Sequence, residues 1–195
     1  CALARAFTLA GAKVVVLEKA VDVLDGASKG NSAILHTGFD APEGSLELDC
    51  IREGYALYHE IRAKLGLPLV RAGAMVLAWT EEQEAGLPAL MDQAAANGVT
   101  DVQALTGAEA RALEPELSDK IGMAVRFPQN RSMKDPYKLV LALAERFLAL
   151  GGRIECGEVA SFVRSDAIRE VVLKDGRHLP ADEVVICAGA FSGKL

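Results

Sequence analysis

The strongest constraint on this chain is the run Lys13-Val-Val-Val-Leu17, which closes on Glu18 and follows an alanine-rich segment and Gly11. An unbroken apolar run with β-branched residues suits a strand buried on both faces, as in a parallel sheet. Residues Ala2 to Leu9 predict a helix, with Gly11 as its C-cap. Helix, glycine, buried strand and then an acid is the order in which a strand-end carboxylate accepts hydrogen bonds from the ribose of a dinucleotide. Such a carboxylate stands about twenty residues beyond a Gly-x-Gly-x-x-Gly loop. That loop is absent from the sequence, and the spacing fits a chain that begins just after its last glycine. An ordinary acid at an ordinary strand end explains Glu18 equally well.

Composition narrows the field. The 195 residues suffice for one sizeable core, or for one domain and part of another. A net charge of −6 with scattered Lys and Arg argues against nucleic acid as the main partner. No apolar run approaches the roughly 20 residues of a bilayer crossing, and no secretory signal is readable at Cys1-Ala-Leu-Ala-Arg. The four cysteines are far apart and there are three histidines, which argues against zinc and for buried, reduced thiols in a cytosolic protein.

Further along, Gly26 to Ser32 reads as a loop and Ala33 to His36 as a short buried element. Ile51, Tyr55, Tyr58, Ile61 and Leu65 give one apolar face to a helix over about Leu46 to Leu65. Gly73 to Trp79 predicts a strand. Thr80-Glu-Glu-Gln83 and Thr106-Gly-Ala-Glu109 are capping boxes, the first opening a helix over Glu81 to Ala96. Ile121 to Phe127 predicts a strand, and Asp135-Pro136 an N-cap with Pro at the first helical position. Strands are expected at Arg153 to Cys156, Val159 to Arg164, Ala167 to Lys174 and Glu183 to Cys187, with a hairpin turn at Asp175-Gly176.

Chemistry concentrates in a few stretches. In Gly26-Ala-Ser-Lys-Gly-Asn-Ser-Ala-Ile-Leu-His-Thr-Gly38, small residues let backbone N–H groups approach a polar ligand, and Ser28, Asn31 and Ser32 add short hydrogen-bonding side chains. Gly151-Gly-Arg-Ile-Glu-Cys-Gly-Glu-Val159 is a glycine-ended helix, a short strand and a valine. Glu183-Val-Val-Ile-Cys-Ala-Gly-Ala190 is an apolar strand closing on residues small enough for the backbone to meet a ligand.

The stretch around Ser28 to Gly38 resembles the second FAD loop of the D-amino-acid-oxidase-type flavoprotein superfamily. Asn31-Ser-Ala-Ile-Leu-His-Thr-Gly38, Ala41-Pro-Glu-Gly-Ser-Leu46 and Glu114-Pro115 resemble L-2-hydroxyglutarate oxidases and anaerobic-type glycerol-3-phosphate dehydrogenases, with Ala33 where those families commonly have Gly. Val159 resembles the adenine-contact position of the superfamily, and Ala188-Gly189 its late FAD-contacting strand. Phe127-Pro-Gln-Asn-Arg-Ser-Met-Lys-Asp-Pro136 is instead similar to the D-amino-acid dehydrogenase branch.

The resemblance implies an α/β fold: a Rossmann-like FAD-binding parallel sheet with a β meander, plus part of an interleaved α+β substrate domain. The FAD-binding domain would comprise residues 1–45 and 134–195, without its first strand and phosphate loop, and 46–133 would belong to the substrate domain. FAD contacts would come from Glu18, Lys19, Ser28, Asn31, Ser32, Val159, Ala188 and Gly189. His36 is expected near the flavin, tuning the ring, touching substrate or carrying a covalent bond to it; a packed histidine is the alternative. Arg126 and Arg131 could meet a substrate carboxylate or phosphate, although surface arginines fit as well. His59 and His178 are expected on the surface. The implied reaction moves hydride from a CH–OH carbon, of 2-hydroxyacid or glycerol 3-phosphate type, to flavin N5. A D-amino-acid dehydrogenase and a non-catalytic dinucleotide-binding module are the alternatives. The acceptor would be a quinone, an electron carrier or oxygen. The location would be cytoplasmic, with peripheral association at the inner face of the membrane left open. Residues 1–195 alone are expected to bind FAD poorly and to be inactive.

Overall fold

The computed structural model describes residues 1–195. In chain order the elements are α1 (Ala2–Leu9), β1 (Val15–Glu18), β2 (Ile34–Leu35), α2 (Leu46–Ile61), β3 (Leu69–Val70), β4 (Ala74–Ala78), α3 (Glu81–Ala96), β5 (Gln103–Thr106) and α4 (Gly107–Leu113). They continue with β6 (Met123–Phe127), β7 (Arg131–Met133), α5 (Tyr137–Ala149), β8 (Arg153–Cys156), β9 (Val159–Arg164), β10 (Ile168–Leu173) and β11 (His178–Pro180). Short 3-10 turns cover Ala27–Lys29 and Gly189–Lys194. No helix is long and apolar enough to cross a membrane. The chain divides into two compact units, one of Cys1–Asn31 with Pro136–Leu195, the other of Ser32–Asp135.

In the first unit β1 and β8 run parallel, in register from Val15 opposite Arg153 to Glu18 opposite Cys156. Helix α1 packs against α5, and α5 against β8. The anchor of α5 is Phe147, fully buried. Gly152 makes room for its ring, since a Cβ there would lie 2.0 Å from Phe147 Cε2. Strands β9, β10 and β11 form an antiparallel meander, its β10–β11 turn at Asp175-Gly176, with Gly176 at φ +88°.

In the second unit β4, β6 and β5 form an antiparallel sheet covered by α3 and α4. Its core gathers Phe39, Ala78, Leu87, Ala94, Val99, Val125 and Phe127. Phe39 stacks on Phe127 with ring centroids 3.7 Å apart. A second sheet, β2–β7–β3, is also antiparallel. Residues 32–45 and 134–135, grouped by sequence with the FAD-binding segments, lie in this unit.

Several local expectations are corrected. Residues 183–187 are not a strand: no strand of the chain pairs with them, and Val185 and Ile186 stay exposed. Apolar content alone does not make a strand when the ladder has no partner. The cysteines are free, but Cys50, Cys156 and Cys187 are exposed rather than buried. Ile34 in β2 is likewise exposed. Helix α2 stops at Ile61, and α5 is capped by Pro136 rather than Asp135. The box at Thr80 is half formed. Its hydroxyl accepts from Gln83 N, but Gln83 Oε1 reaches past Thr80 to accept from Trp79 N at 2.7 Å. The box at Thr106–Glu109 is complete.

Candidate functional site

In the first unit Glu18 closes β1 and Val159 follows just past the end of β8, at the carboxyl ends of the parallel strands, where α/β proteins bind ligands. Glu18 closes β1 half-buried. Its Oε1 accepts the Ala20 backbone N–H at 3.0 Å, which fixes the carboxylate beside the strand end and leaves the other oxygen for a further donor. The Glu18 carbonyl accepts Gly157 N–H at 2.9 Å, so the chain leaving β8 is held against the end of β1. Two residues later Val159 opens β9, paired with Leu173. Gly157 is needed at this crossing: a Cβ there would meet Leu173 Cδ1 at 2.7 Å.

Lys19 is exposed, with Nζ 5.7 Å from the centre of the Phe191 ring. Phe191 belongs to the turn opened by Ala188 and Gly189. The Lys19 charge also helps to hold the Glu158 carboxyl low, after a hydrogen bond from Lys174 as the first cause. Lys19 therefore lies beside the C-terminal turn and within electrostatic reach of the β8–β9 link. Gly189 takes φ +55°, a conformation that favours glycine, with open space where a Cβ would project. Gly26 likewise has nothing within 4 Å of that position. Ser28 and Asn31 are exposed, and Asn31 Nδ2 donates to Ser28 O at 2.9 Å, closing the loop on itself. Small residues, open backbone and a fixed carboxylate are what a nucleotide cofactor needs from a strand-end cradle.

In the second unit Ser32 Oγ accepts from Ile34 N. Ala33 takes φ +58°, the only non-glycine residue with positive φ, at the position where the resembling families commonly have glycine. The half-buried His36 is followed by a firmly clamped segment. Asn130 Oδ1 accepts from both Thr37 N and Thr37 Oγ1. Asn97 Nδ2 donates to Gly38 O and Ala41 O, and Gln93 Nε2 to Asp40 O and Ala41 O. The two buried asparagines of the chain thus both serve residues 37–41. Sequence reasoning missed them, because an asparagine clamp has no local signature. A cleft of about 330 Å³ beside this segment is lined by Thr37, Arg52, Tyr55, Asn97 and Gln129, among others.

Parallel strands with helices α1 and α5 packed beside them, a meander and a carboxylate at a strand end define a dinucleotide-type α/β protein. The sequence pattern of the family described as FAD dependent oxidoreductase, DAO, matches residues 1–195, and the chain belongs to that family, whose cofactor is FAD. It is 29% identical over 196 residues to a glycerol 3-phosphate dehydrogenase of Caloramator mitchellensis, covering all of this chain and 40% of that protein. It is 27% identical to an L-2-hydroxyglutarate dehydrogenase of Indibacter alkaliphilus, covering 94% of this chain and 45% of the relative. The crystal structure of glycine oxidase from Bacillus cereus superposes with a TM-score of 0.87 at 27% identity, over all of this chain and 53% of the other. The chain thus spans less than half the length of these two curated relatives.

Proposed function

We propose that the protein carrying this chain is an FAD-dependent oxidoreductase that takes hydride from a CH–OH carbon of a small anionic substrate, a 2-hydroxyacid or glycerol 3-phosphate. Residues 1–45 and 134–195 are assigned to the FAD-binding domain and 46–133 to part of the substrate domain. The observation that carries the reading is the strand-end cluster in which Glu18 is anchored by Ala20 N and its carbonyl holds Gly157. Glu18 would accept the ribose hydroxyls, Lys19 would sit beside them, and Val159 would pair its backbone with the adenine edge. Ser28, Asn31 and Ser32 are assigned to the cofactor loop, Ala188 and Gly189 to close backbone approach, and His36 to the flavin side. FAD supplies the hydride-accepting ring, while the protein binds, orients and excludes water.

Relatives named for glycerol 3-phosphate and L-2-hydroxyglutarate favour the CH–OH substrate. The likeness to glycine oxidase supports a second reading, oxidation of a CH–NH2 carbon. The test is anaerobic bleaching of the flavin in the protein expressed from the complete coding sequence. Bleaching by glycerol 3-phosphate or L-2-hydroxyglutarate supports the proposal. Bleaching by D-alanine or glycine alone selects the amine reading, and flavin that no substrate in the panel bleaches points to a binding module.

A further inference from the structure

Along α2 and its C-terminal cap, Arg52, Tyr55, His59 and Arg62 recur at three and four residues, which puts them on one side of the helix. Tyr55 ties that side to the β6–β7 turn, its hydroxyl donating to Gln129 O at 2.8 Å. The Tyr55 and His59 rings lie 4.7 Å apart, centre to centre. Two more arginines arrive on strands. Antiparallel β3 and β7 pair Leu69 with Met133 and Val70 with Ser132. Continued by one residue, that register sets Arg71 opposite Arg131. Like charges directly opposite on paired strands destabilise them.

No ion pair compensates this arrangement. Arg52, Arg62, Arg71 and Arg131 take part in no ion pair. Arg131 donates from one amino group to the carbonyls of Pro128 and Asn130, and its buried Nε has no acceptor. His59 feels the same field: partial burial first, then the charges of Arg62, Arg131 and Arg71, hold its imidazole below the ordinary value. In a chain of net charge −6 this is a local excess of unpaired cations.

We propose that Arg71 and Arg131, with Arg62 and His59 beside them, form a binding site for a phosphate-type oxyanion. Planar guanidinium forks present parallel N–H donors to phosphate oxygens, a geometry lysine lacks. The phosphate belongs either to a small monoester or to the headgroup of an anionic phospholipid. The site does not depend on the redox reading, so phosphate binding and flavin bleaching succeed or fail separately.

Isothermal titration of inorganic phosphate into the protein from the complete coding sequence, at constant ionic strength, tests it. Saturable binding is expected, weakened about tenfold or more in Arg71→Gln, the loss of a charge-assisted contact. Arg169→Gln removes the same charge from strand β10 of the other unit and leaves the affinity within about twofold. If Arg71→Gln fails to fold, Arg62→Gln supplies the same readout. Glycerol 3-phosphate that displaces phosphate assigns the site to a monoester. Phosphatidylglycerol vesicles that sediment the wild type but not Arg71→Gln, with phosphatidylcholine inert, assign it to a lipid headgroup. Phosphate binding with neither effect assigns it to free phosphate. No saturable phosphate binding, or equal losses in Arg71→Gln and Arg169→Gln, overturns the proposal.

Discussion

Asn130 is 1% exposed, and its Oδ1 accepts the Thr37 backbone N–H at 3.2 Å and the Thr37 hydroxyl at 2.7 Å. Asn130→Ala removes both bonds at once. Each is worth about 1 kcal/mol net, and a donor left buried without a partner costs about 1–3 kcal/mol more. Thr37 is half-buried, so water replaces part of the loss. The expected destabilisation is therefore about 2–3 kcal/mol. Thr37→Val keeps the N–H bond and gives up only the hydroxyl, a loss of about 1 kcal/mol. Urea unfolding of the two single variants and the double variant should show a coupling of about 1 kcal/mol, because both changes delete the same hydroxyl bond. A loss under about 0.5 kcal/mol in Asn130→Ala, or strictly additive effects, would refute the clamp. Because the clamp holds the residue after His36, the account also expects weaker FAD retention in Asn130→Ala.

Three other outcomes follow from the same structure. In Gly107→Ala the new Cβ would lie 1.9 Å from Ile121 O, so α4 must move off its sheet at a cost of about 1–3 kcal/mol, read as a lower urea midpoint. Ala33→Gly relieves a left-handed L-residue worth about 1–2 kcal/mol but loosens the unfolded chain by about 0.5–1 kcal/mol, so the midpoint should rise slightly; a fall contradicts the φ of +58°. The folded state holds His59 below its ordinary value and so binds fewer protons there than the unfolded chain. Stability is then full above about pH 6.5 and declines on acidification below it. His59→Gln should flatten that decline, and an unchanged pH profile would contradict it.

How much of this was legible depends on whether the signal was local. The apolar, β-branched run ending at Glu18 announced a parallel strand, and β1 pairs in parallel with β8, but it is not buried on both faces: Val15 is exposed and Val16 and Leu17 are half-buried, because β8 is its one paired neighbour. Asp175-Gly176 marked a hairpin because the turn demands positive φ at Gly176. The strand paired across it, β11, escaped notice because Leu179 is flanked by His178 and Pro180. Strands β3, β5 and β7 were unread for the same reason: two to four residues cannot display a period. Glu183–Cys187 failed in the opposite sense, apolar enough for a strand but without one to pair with.

The candidate site divides along the same line. Glu18, Val159 and Ala188-Gly189 are proposed from a local pattern carried by their neighbours in sequence. Asn97 and Asn130 could not, since each acts on a segment more than fifty residues away. The facing of Arg71 and Arg131 is a fact of register alone. His59 was expected on the surface and is there, but its arginine neighbours are a tertiary property.

The central claim is that the end of β1 is half of an FAD cradle, and FAD affinity tests it most directly. The measurement is the FAD dissociation constant of the protein from the complete coding sequence, wild type against Glu18→Ala, by titration of the apoprotein. The account predicts wild-type protein that binds FAD and a variant weakened about tenfold to a hundredfold, the worth of hydrogen bonds to a charged acceptor. A wild type that takes up no FAD, or a folded Glu18→Ala variant with unchanged affinity, would contradict it.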